Sequence, residues 1–268
     1  MKYYTIPPPP SLKQFVRCFW VLEHDLSYAE TEYVYRSIAD GCAELVFHYR
    51  GLFNDIIGDE QVRGWQSGLH AQSTRYRRFI TTQSFGLFGA YIYPFALPQL
   101  LNMPACELSN HTPDLNTLFK AAGRELEEQM MLAVNNQERA QILSAFLEQR
   151  LLNKPVKDEH IIQSVAYVIH SRPQLTVAQL ANKFCLSTRQ FDRKFKANSG
   201  FSPKTYLRLM RLRSALDNYG THKSLGQIAQ ECGYYDQSHF IHDVQTFTGY
   251  NPSHYFSGMA EGTEYKNF

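Results

Sequence analysis

Residues 200–206 read Gly-Phe-Ser-Pro-Lys-Thr-Tyr, and residues 249–255 read Gly-Tyr-Asn-Pro-Ser-His-Tyr. The two stretches are 49 residues apart, and the same offset relates Phe191 and Phe195 to Phe240 and Val244. Two similar dipeptides, at 180–181 and 228–229, are only 48 residues apart, so the second copy carries one extra residue in its turn. A solenoid needs about three repeats to bury a continuous core. The repeat therefore predicts a helical module duplicated within one domain.

Apolar spacing in the first copy predicts two short helices. Leu180 and Phe184 share a face of the first helix, and Phe191 and Phe195 form the buried side of the second. Ser187 is the predicted N-cap of the second helix, because its hydroxyl can accept a hydrogen bond from an early helix amide. Two short helices joined by a tight turn, with the second basic on its outer side, are typical of the helix-turn-helix motif.

The second copy repeats this arrangement. Gly233 suits the turn because glycine tolerates a positive φ, and Asp236 is the predicted N-cap of the second helix. Between the copies, residues 203–219 read as one helix that begins at Pro203 and ends before Gly220. About 17 residues at 1.5 Å each give a spacer of roughly 26 Å. We therefore expect two recognition helices held about one DNA turn apart, roughly 34 Å, to read two adjacent major-groove segments.

The repeat region resembles the DNA-binding domain of the AraC family of bacterial transcription regulators. The resemblance implies seven helices, with two helix-turn-helix units and a linking helix, and covers about 100 of the 268 residues. The residues that carry it are Ala181, Ser187, Phe191, Arg193, Phe195, Lys196, Gly200, Pro203, Tyr206, Arg211, Leu212, Ile228, Ala229, Gly233, Tyr234, Ser238, Phe240, Gly249, Pro252 and Tyr255.

The second unit departs from the family pattern. His242, Val244 and Gln245 stand where the family usually has an arginine, a phenylalanine and a basic residue. Asp243 adds a negative charge to the same helix. We therefore expect the second unit to bind DNA more weakly than the first.

Six side chains are predicted to read bases, namely Arg189, Gln190, Arg193, Gln237, His239 and His242. Arg189 and Arg193 are four residues apart and share a helix face, and arginine can make a bidentate contact to guanine worth about 1–3 kcal/mol. Gln237 has the groups to pair with adenine. The alternative for Arg193 is a surface salt bridge, with Asp192 or with Asp236 of a neighbouring molecule.

Four cationic side chains are predicted to contact phosphates, which position a protein on DNA without specifying sequence. They are Lys194, Lys196, Lys204 and Arg213. Residues 155–258 contain 12 Lys or Arg against 7 Asp or Glu, whereas the rest of the chain contains 15 against 18. The basic excess therefore lies on the repeat, as phosphate binding requires.

Residues 1–153 are predicted to form a separate β-rich domain. Strands are expected at 15–22, 33–38, 43–49, 62–66 and 85–93, separated by turns that contain glycine. The pattern itself indicates antiparallel β structure; the family resemblance implies a cupin-like barrel, and a sandwich is the alternative. The predicted fold class is thus α+β, with the all-α DNA-binding domain at 156–258 joined through a short linker at 153–155. Residues after 259 are expected to fray.

In residues 112–152 the apolar residues recur at helical spacing. Asp114 lies at the predicted start of the first helix, and the last helix has an apolar stripe. The stripe consists of Ile142, Leu143, Phe146, Leu147 and Leu151. It can pack against the sheet, form a dimer contact, or do both.

The sequence argues against catalytic, metal and membrane functions. No apolar run approaches the ~20 residues of a membrane span, and five scattered cysteines without a Cys-x-x-Cys motif are typical of a reduced cytoplasmic protein. His24, His48, His70 and His111 are isolated rather than paired as in metal cupins. Neither a nucleophile elbow nor a phosphate-binding loop is present. We therefore predict no catalytic residues, metal or cofactor.

The leading hypothesis is a cytoplasmic transcription regulator that binds double-stranded DNA. Its N-terminal domain is expected to bind a small-molecule effector or to form a homodimer, and RNA polymerase is a further expected partner. Two alternatives remain, a cupin-like enzyme anchored by the C-terminal domain and a ligand-independent regulator with a purely structural β domain. A pocket lined by aromatic residues such as Trp20, Tyr35, Phe47 and Trp65 would separate the leading hypothesis from the last.

Overall fold

The computed structural model describes residues 1–152, 158–171, 174–219, 221, 223–258, 260 and 262. The N-terminal region, residues 1–152, contains two antiparallel sheets followed by helices, and the C-terminal region, residues 158–258, is helical. The predicted α+β class is confirmed. The predicted linker at 153–155 and most of the predicted tail after residue 259 lie outside the described residues.

The strands of the N-terminal region form two sheets. The five-stranded sheet has the order β1-β2-β9-β4-β7, with β1 at Lys2–Ile6, β2 at Val16–His24, β4 at Ala43–Arg50, β7 at Ser67–His70 and β9 at Phe85–Ile92. The four-stranded sheet has the order β3-β8-β5-β6, with β3 at Tyr33–Ser37, β5 at Asn54–Ile57, β6 at Glu60–Val62 and β8 at Arg77–Thr81.

The sheets pack face to face as a sandwich. Successive side chains of a strand point to opposite faces, so Trp20 and Leu22 of β2 lie between the sheets with Phe79 of β8. Phe19 and Val21 of the same strand point the other way and pack in a second cluster, together with the helices of this region. The five-stranded sheet is therefore covered on both faces, and of the two predicted architectures the sandwich is the one observed.

Four of the predicted strands are confirmed, with no end shifted by more than two residues. The strand predicted at 62–66 is wrong, because β6 ends at Val62 and the next strand begins only at Ser67. Between them Gly64 approaches the Phe53 carbonyl so closely that a methyl group would lie 2.1 Å from its oxygen. Strands β1, β5, β7 and β8 were not predicted.

Five helices follow the strands, with α1 at Leu97–Leu101, α2 at Ala105–Leu108, α3 at Leu115–Phe119, α4 at Ala121–Leu132 and α5 at Asn136–Leu151. Asp114, at the predicted start of the first helix, is the N-cap of α3 and accepts from the Thr117 amide at 2.8 Å. Leu143, Leu147 and Leu151 of α5 are buried in the cluster on the outer face of the five-stranded sheet. The stripe therefore packs against the sheet, and a dimer contact by the same helix stays a prediction.

Seven helices make up the described C-terminal region, the number that the family resemblance implies. They are α6 (Glu159–Ser171), α7 (Val177–Lys183), α8 (Thr188–Ser199), α9 (Pro203–Leu216), α10 (Leu225–Glu231), α11 (Gln237–Thr248) and α12 (Pro252–Phe256). The linking helix α9 has 14 residues, which is about 21 Å at 1.5 Å per residue. It is shorter than predicted because its C-cap is Asp217.

The core of the C-terminal region continues into the N-terminal region. Ala39, Tyr93 and Phe95 belong to the same buried cluster as the helices α6 to α12. The hydroxyl of Tyr206 in α9 is buried and donates to the Gly41 carbonyl at 2.8 Å. The two regions therefore share one hydrophobic core. In the part of the chain that is described, none of the helices is long and apolar enough to cross a membrane.

The sandwich interior has a tight contact that can be tested by mutation. Gly89 of β9 lies under the indole of Trp20, so a methyl group at this position would lie 2.2 Å from Cε2 of that ring. We expect Gly89→Ala to lower the free energy of unfolding by about 1–3 kcal/mol, because the indole must shift in a packed core. Urea unfolding measures this change.

Gly226 provides the control, since a methyl group there would have its nearest neighbour 3.7 Å away. Gly226 lies in α10, where alanine is the better helix former, so Gly226→Ala should be neutral or stabilising by up to ~1 kcal/mol. An equal decrease in the free energy of unfolding for both variants would contradict the assigned packing of Trp20.

Candidate nucleic-acid interface

Each helix-turn-helix unit is built from two capped helices. Ser187 caps α8 and Asp236 caps α11, as predicted; their side chains accept from the Gln190 and His239 amides respectively. A cap satisfies amides that the first turn of a helix leaves without partners. Gly200 and Gly249 end α8 and α11 in the left-handed conformation, with φ of +88° and +70°. The second helix of each unit therefore has defined start and end points.

The outward side of α8 carries the predicted base-reading residues of the first unit. Phe191 and Phe195 are fully buried, whereas Arg189 and Arg193 are exposed. Within the described residues neither guanidinium makes a salt bridge, so the salt-bridge alternative for Arg193 finds no support within this chain. The two arginines share an exposed helix face beside Lys196, as a major-groove contact requires.

Gln190 has a local role that the sequence prediction did not include. Its Oε1 atom accepts from the Ser187 amide at 3.3 Å and from the Ser187 hydroxyl at 3.0 Å, which completes a capping box. The side chain is exposed but is bent back onto the helix start. Its base-reading role stays a prediction.

The predicted reading residues of the second unit, Gln237, His239 and His242, are all exposed on α11. His239 lies next to the N-cap, with its Nδ1 atom 3.2 Å from the Asp236 carboxylate. The hydrogen bond from the His239 amide is the main reason that the pKa of Asp236 lies below its usual value. Asp236 therefore remains ionised as the cap of this helix.

Asp243 is buried, unlike these residues, although its Oδ1 atom lies 3.8 Å from Nδ1 of the exposed His242. The Asp243 side chain accepts from the guanidinium of Arg208 in α9 at 2.5 Å. This ion pair therefore joins α11 to the linking helix. The weaker DNA binding expected of the second unit stays a prediction.

The four predicted phosphate-contacting residues fall into two groups. Lys196 and Lys204 are exposed on α8 and α9. Lys194 forms an ion pair of 2.5 Å with Asp158, and Arg213 donates to the Asp40 carbonyl of the N-terminal region at 3.4 Å. All four phosphate contacts stay predictions, and the last two residues also have protein partners.

The N-terminal region contacts the ends of both recognition helices. Ser109 donates to the Gly200 carbonyl at 2.8 Å, and Arg36 donates to the Gly249 carbonyl at 2.9 Å. Arg36 also lies over the rings of Tyr76 and Tyr250, at 5.0 and 4.3 Å from their centroids. We call the Ser109–Gly200 and Arg36–Gly249 hydrogen bonds the C-cap contacts. Sequence analysis missed them, since nothing in the local pattern links residues so far apart.

A cavity of about 240 Å³ lies where the sandwich meets the end of α9. Its wall includes Glu44, Asp40 and Tyr35 from the N-terminal region and Leu216 from α9. Burial, reinforced by the charge of Asp40, raises the pKa of Glu44 above its usual value, although a hydrogen bond from Tyr91 opposes this shift. Glu44 therefore holds a proton more tightly than an exposed carboxyl group.

The aromatic residues proposed for a pocket are distributed differently. Of the four, Tyr35 lines the cavity. Trp20 and Phe47 are buried in the clusters on opposite faces of the five-stranded sheet, and Trp65 packs against the rings of His48 and His70. Among the described residues, no group of three or more His, Cys, Asp or Glu side chains could hold a metal ion.

Comparisons with known proteins fit this geometry. The sequence profile of a helix-turn-helix domain matches residues 180–258, and that of a domain of unknown function (DUF6597) matches residues 4–114. The chain is 27% identical over 160 residues to the probable transcriptional regulator LumQ of Photobacterium leiognathi, covering 59% of this chain and 58% of LumQ. It is 30% identical over 132 residues to the HTH-type transcriptional regulator AdiY of Escherichia coli strain K12, covering 46% of this chain and 50% of AdiY.

The chain spans about half the length of the curated relatives it matches. Among solved structures, ToxT from Vibrio cholerae aligns with 96% of this chain and 98% of its own, at 11% identity and a TM-score of 0.48. The profile match begins within α7 and runs through the linking helix to the end of α12. Residues 180–258 therefore contain a helix-turn-helix domain, and the resemblance to the AraC family that the sequence indicated is confirmed.

Proposed function

We propose that the whole chain is a sequence-specific transcription regulator that reads two adjacent major-groove segments. The observation that supports this proposal is the pair of capped helices, each exposing the predicted reading side chains while its aromatic side is buried. In this proposal residues 156–258 bind DNA, and residues 1–153 form a sensor or dimerisation domain. RNA polymerase is the proposed further partner, and the role is regulatory rather than enzymatic.

DNA selection with the full-length chain tests this proposal. The protein is incubated with a random-sequence duplex pool, and the enriched duplex is compared with a scrambled one by fluorescence anisotropy at physiological salt. A specific regulator binds its site about 10³-fold or more tightly than other DNA. Equal affinity for the enriched and scrambled duplexes would contradict the proposal.

We also propose that the first unit contributes more to recognition than the second. Arg193 and His242 occupy equivalent positions, 49 residues apart, and both are exposed. Arginine makes the stronger contact with guanine, because it carries a permanent charge and a bidentate donor pair.

Arg193→Ala should weaken binding to the enriched duplex by about 1–3 kcal/mol, and His242→Ala should weaken it less. Arg63→Ala removes the same charge from an exposed site in the N-terminal region and controls for general electrostatic effects. The order of the two losses would be reversed if the second unit dominated recognition.

The cavity between the sandwich and α9 is the proposed effector site. It touches strands of the N-terminal region and the end of the helix that joins the two DNA-binding units. A small molecule bound there would contact both regions at once, which supports the effector hypothesis over a purely structural β domain. Its wall contains carboxyl and phenol groups together with the guanidinium groups of Arg17, Arg36 and Arg213, which favours a polar molecule.

Glu44 makes the stability of the fold depend on pH. Because its pKa is raised in the folded state, the folded chain binds a proton that the unfolded chain releases above the usual pKa of the group, 4.5. Its contribution is complete below that value and is lost as pH rises toward the folded-state pKa.

Glu44→Gln replaces the protonated carboxyl with a neutral amide and should flatten this dependence. Urea unfolding of both proteins between about pH 5 and pH 8 provides the comparison. Parallel curves for the two proteins would contradict a raised pKa at Glu44.

A further inference from the structure

The extra residue in the second helix-turn-helix unit can be identified from the turn geometry. The Leu186 amide donates to the Ala181 carbonyl at 3.0 Å, and the Tyr234 amide donates to the Ala229 carbonyl at 3.0 Å. These equivalent contacts are 48 residues apart, whereas the next equivalent pair, the N-caps Ser187 and Asp236, is 49 residues apart. Tyr235 is therefore the inserted residue.

The side chain of Tyr235 does not pack against the core of the C-terminal region. It is 93% exposed, whereas Tyr234 is buried and Leu186 packs against the core of the C-terminal region. No other residue described between 158 and 258 appears among the exposed large apolar side chains. The ring of Tyr235 is therefore accessible to a binding partner.

The position of Tyr235 points to a contact with DNA. It directly precedes the N-cap of α11, and helix-turn-helix proteins read bases with the N-terminal residues of their recognition helix. The ring lies 6.3 Å from the imidazole of His239, inclined at 75° to it. Tyr235 thus stands beside a predicted reading residue at the end of the helix that enters the groove.

We propose that Tyr235 is a specificity-determining residue of the second unit, and that its ring packs against the methyl group of a thymine. This proposal rests on the proposed function. Apolar side chains recognise thymine by its methyl group, which no other DNA base presents in the major groove. The contact supplies specificity to a helix that has no arginine on its reading face. The phenol could instead donate to a phosphate, which would position the protein without reading sequence.

Deoxyuridine substitution in the enriched duplex distinguishes these contacts, because deoxyuridine is thymidine without the methyl group. Each thymine of the second half of the site is replaced in turn, and affinities are measured for the wild-type chain, Tyr235→Ala and Tyr235→Phe. We expect one replacement to weaken wild-type binding about fourfold, the effect of one methyl group. The same replacement should leave the affinity of Tyr235→Ala unchanged.

On the unmodified duplex, Tyr235→Ala should bind about tenfold more weakly than the wild-type chain, and Tyr235→Phe should bind almost as well. Tyr28→Ala is the matched control, since Tyr28 is a fully exposed tyrosine of the N-terminal region, and it should not change the affinity. Circular dichroism should show the same thermal transition for all variants, because neither ring is buried.

Three results would overturn the proposal while leaving the proposed function intact. They are wild-type affinity in Tyr235→Ala, an equal loss in Tyr235→Phe that indicates a phosphate contact, and undiminished sensitivity of Tyr235→Ala to every deoxyuridine. If the wild-type chain enriches no duplex at all, the proposed function itself fails.

Discussion

The C-cap contacts join the N-terminal region to both recognition helices at equivalent positions. The last carbonyls of a helix have no partners within it, and here one carbonyl at the end of each recognition helix accepts from a side chain of the N-terminal region. The acceptors, Gly200 and Gly249, are equivalent residues of the repeat. Because both donors belong to one packed region, a displacement of that region acts on both recognition helices together.

The linking helix α9 supports the same arrangement from within the C-terminal region. Tyr206 packs against Phe195 of the first unit, with ring centroids 5.7 Å apart, while Arg208 pairs with Asp243 of the second. This ion pair explains why an acidic residue is tolerated on a helix proposed to bind DNA. Removing Arg208 would leave the buried Asp243 carboxylate without its arginine partner, whereas the Arg208 side chain itself is 40% exposed. The helix is thus joined by side chains to both units and to the sandwich.

The sequence predicted the C-terminal region in detail because its signals are local. Caps such as Ser187 and Asp236, the glycines at the helix ends and the alternation of buried and exposed residues all act within a few positions. Strands such as β5 and β8 escaped prediction because Asp55 and Arg77 form an ion pair across them, which breaks the apolar alternation. The cavity and the C-cap contacts join residues from distant parts of the chain, and no local pattern specifies such contacts.

The shared core determines how the chain can be divided into its two regions. Tyr93 and Phe95 belong to the folded interior of the helical half although they come from the β half. Cleaving the chain between the two regions would expose an apolar surface on each fragment. Exposed apolar surfaces favour self-association. Exchanging one region for that of a relative would likewise require the residues of the shared core to be exchanged with it. The two regions are distinct segments of the sequence, but they share one core when folded.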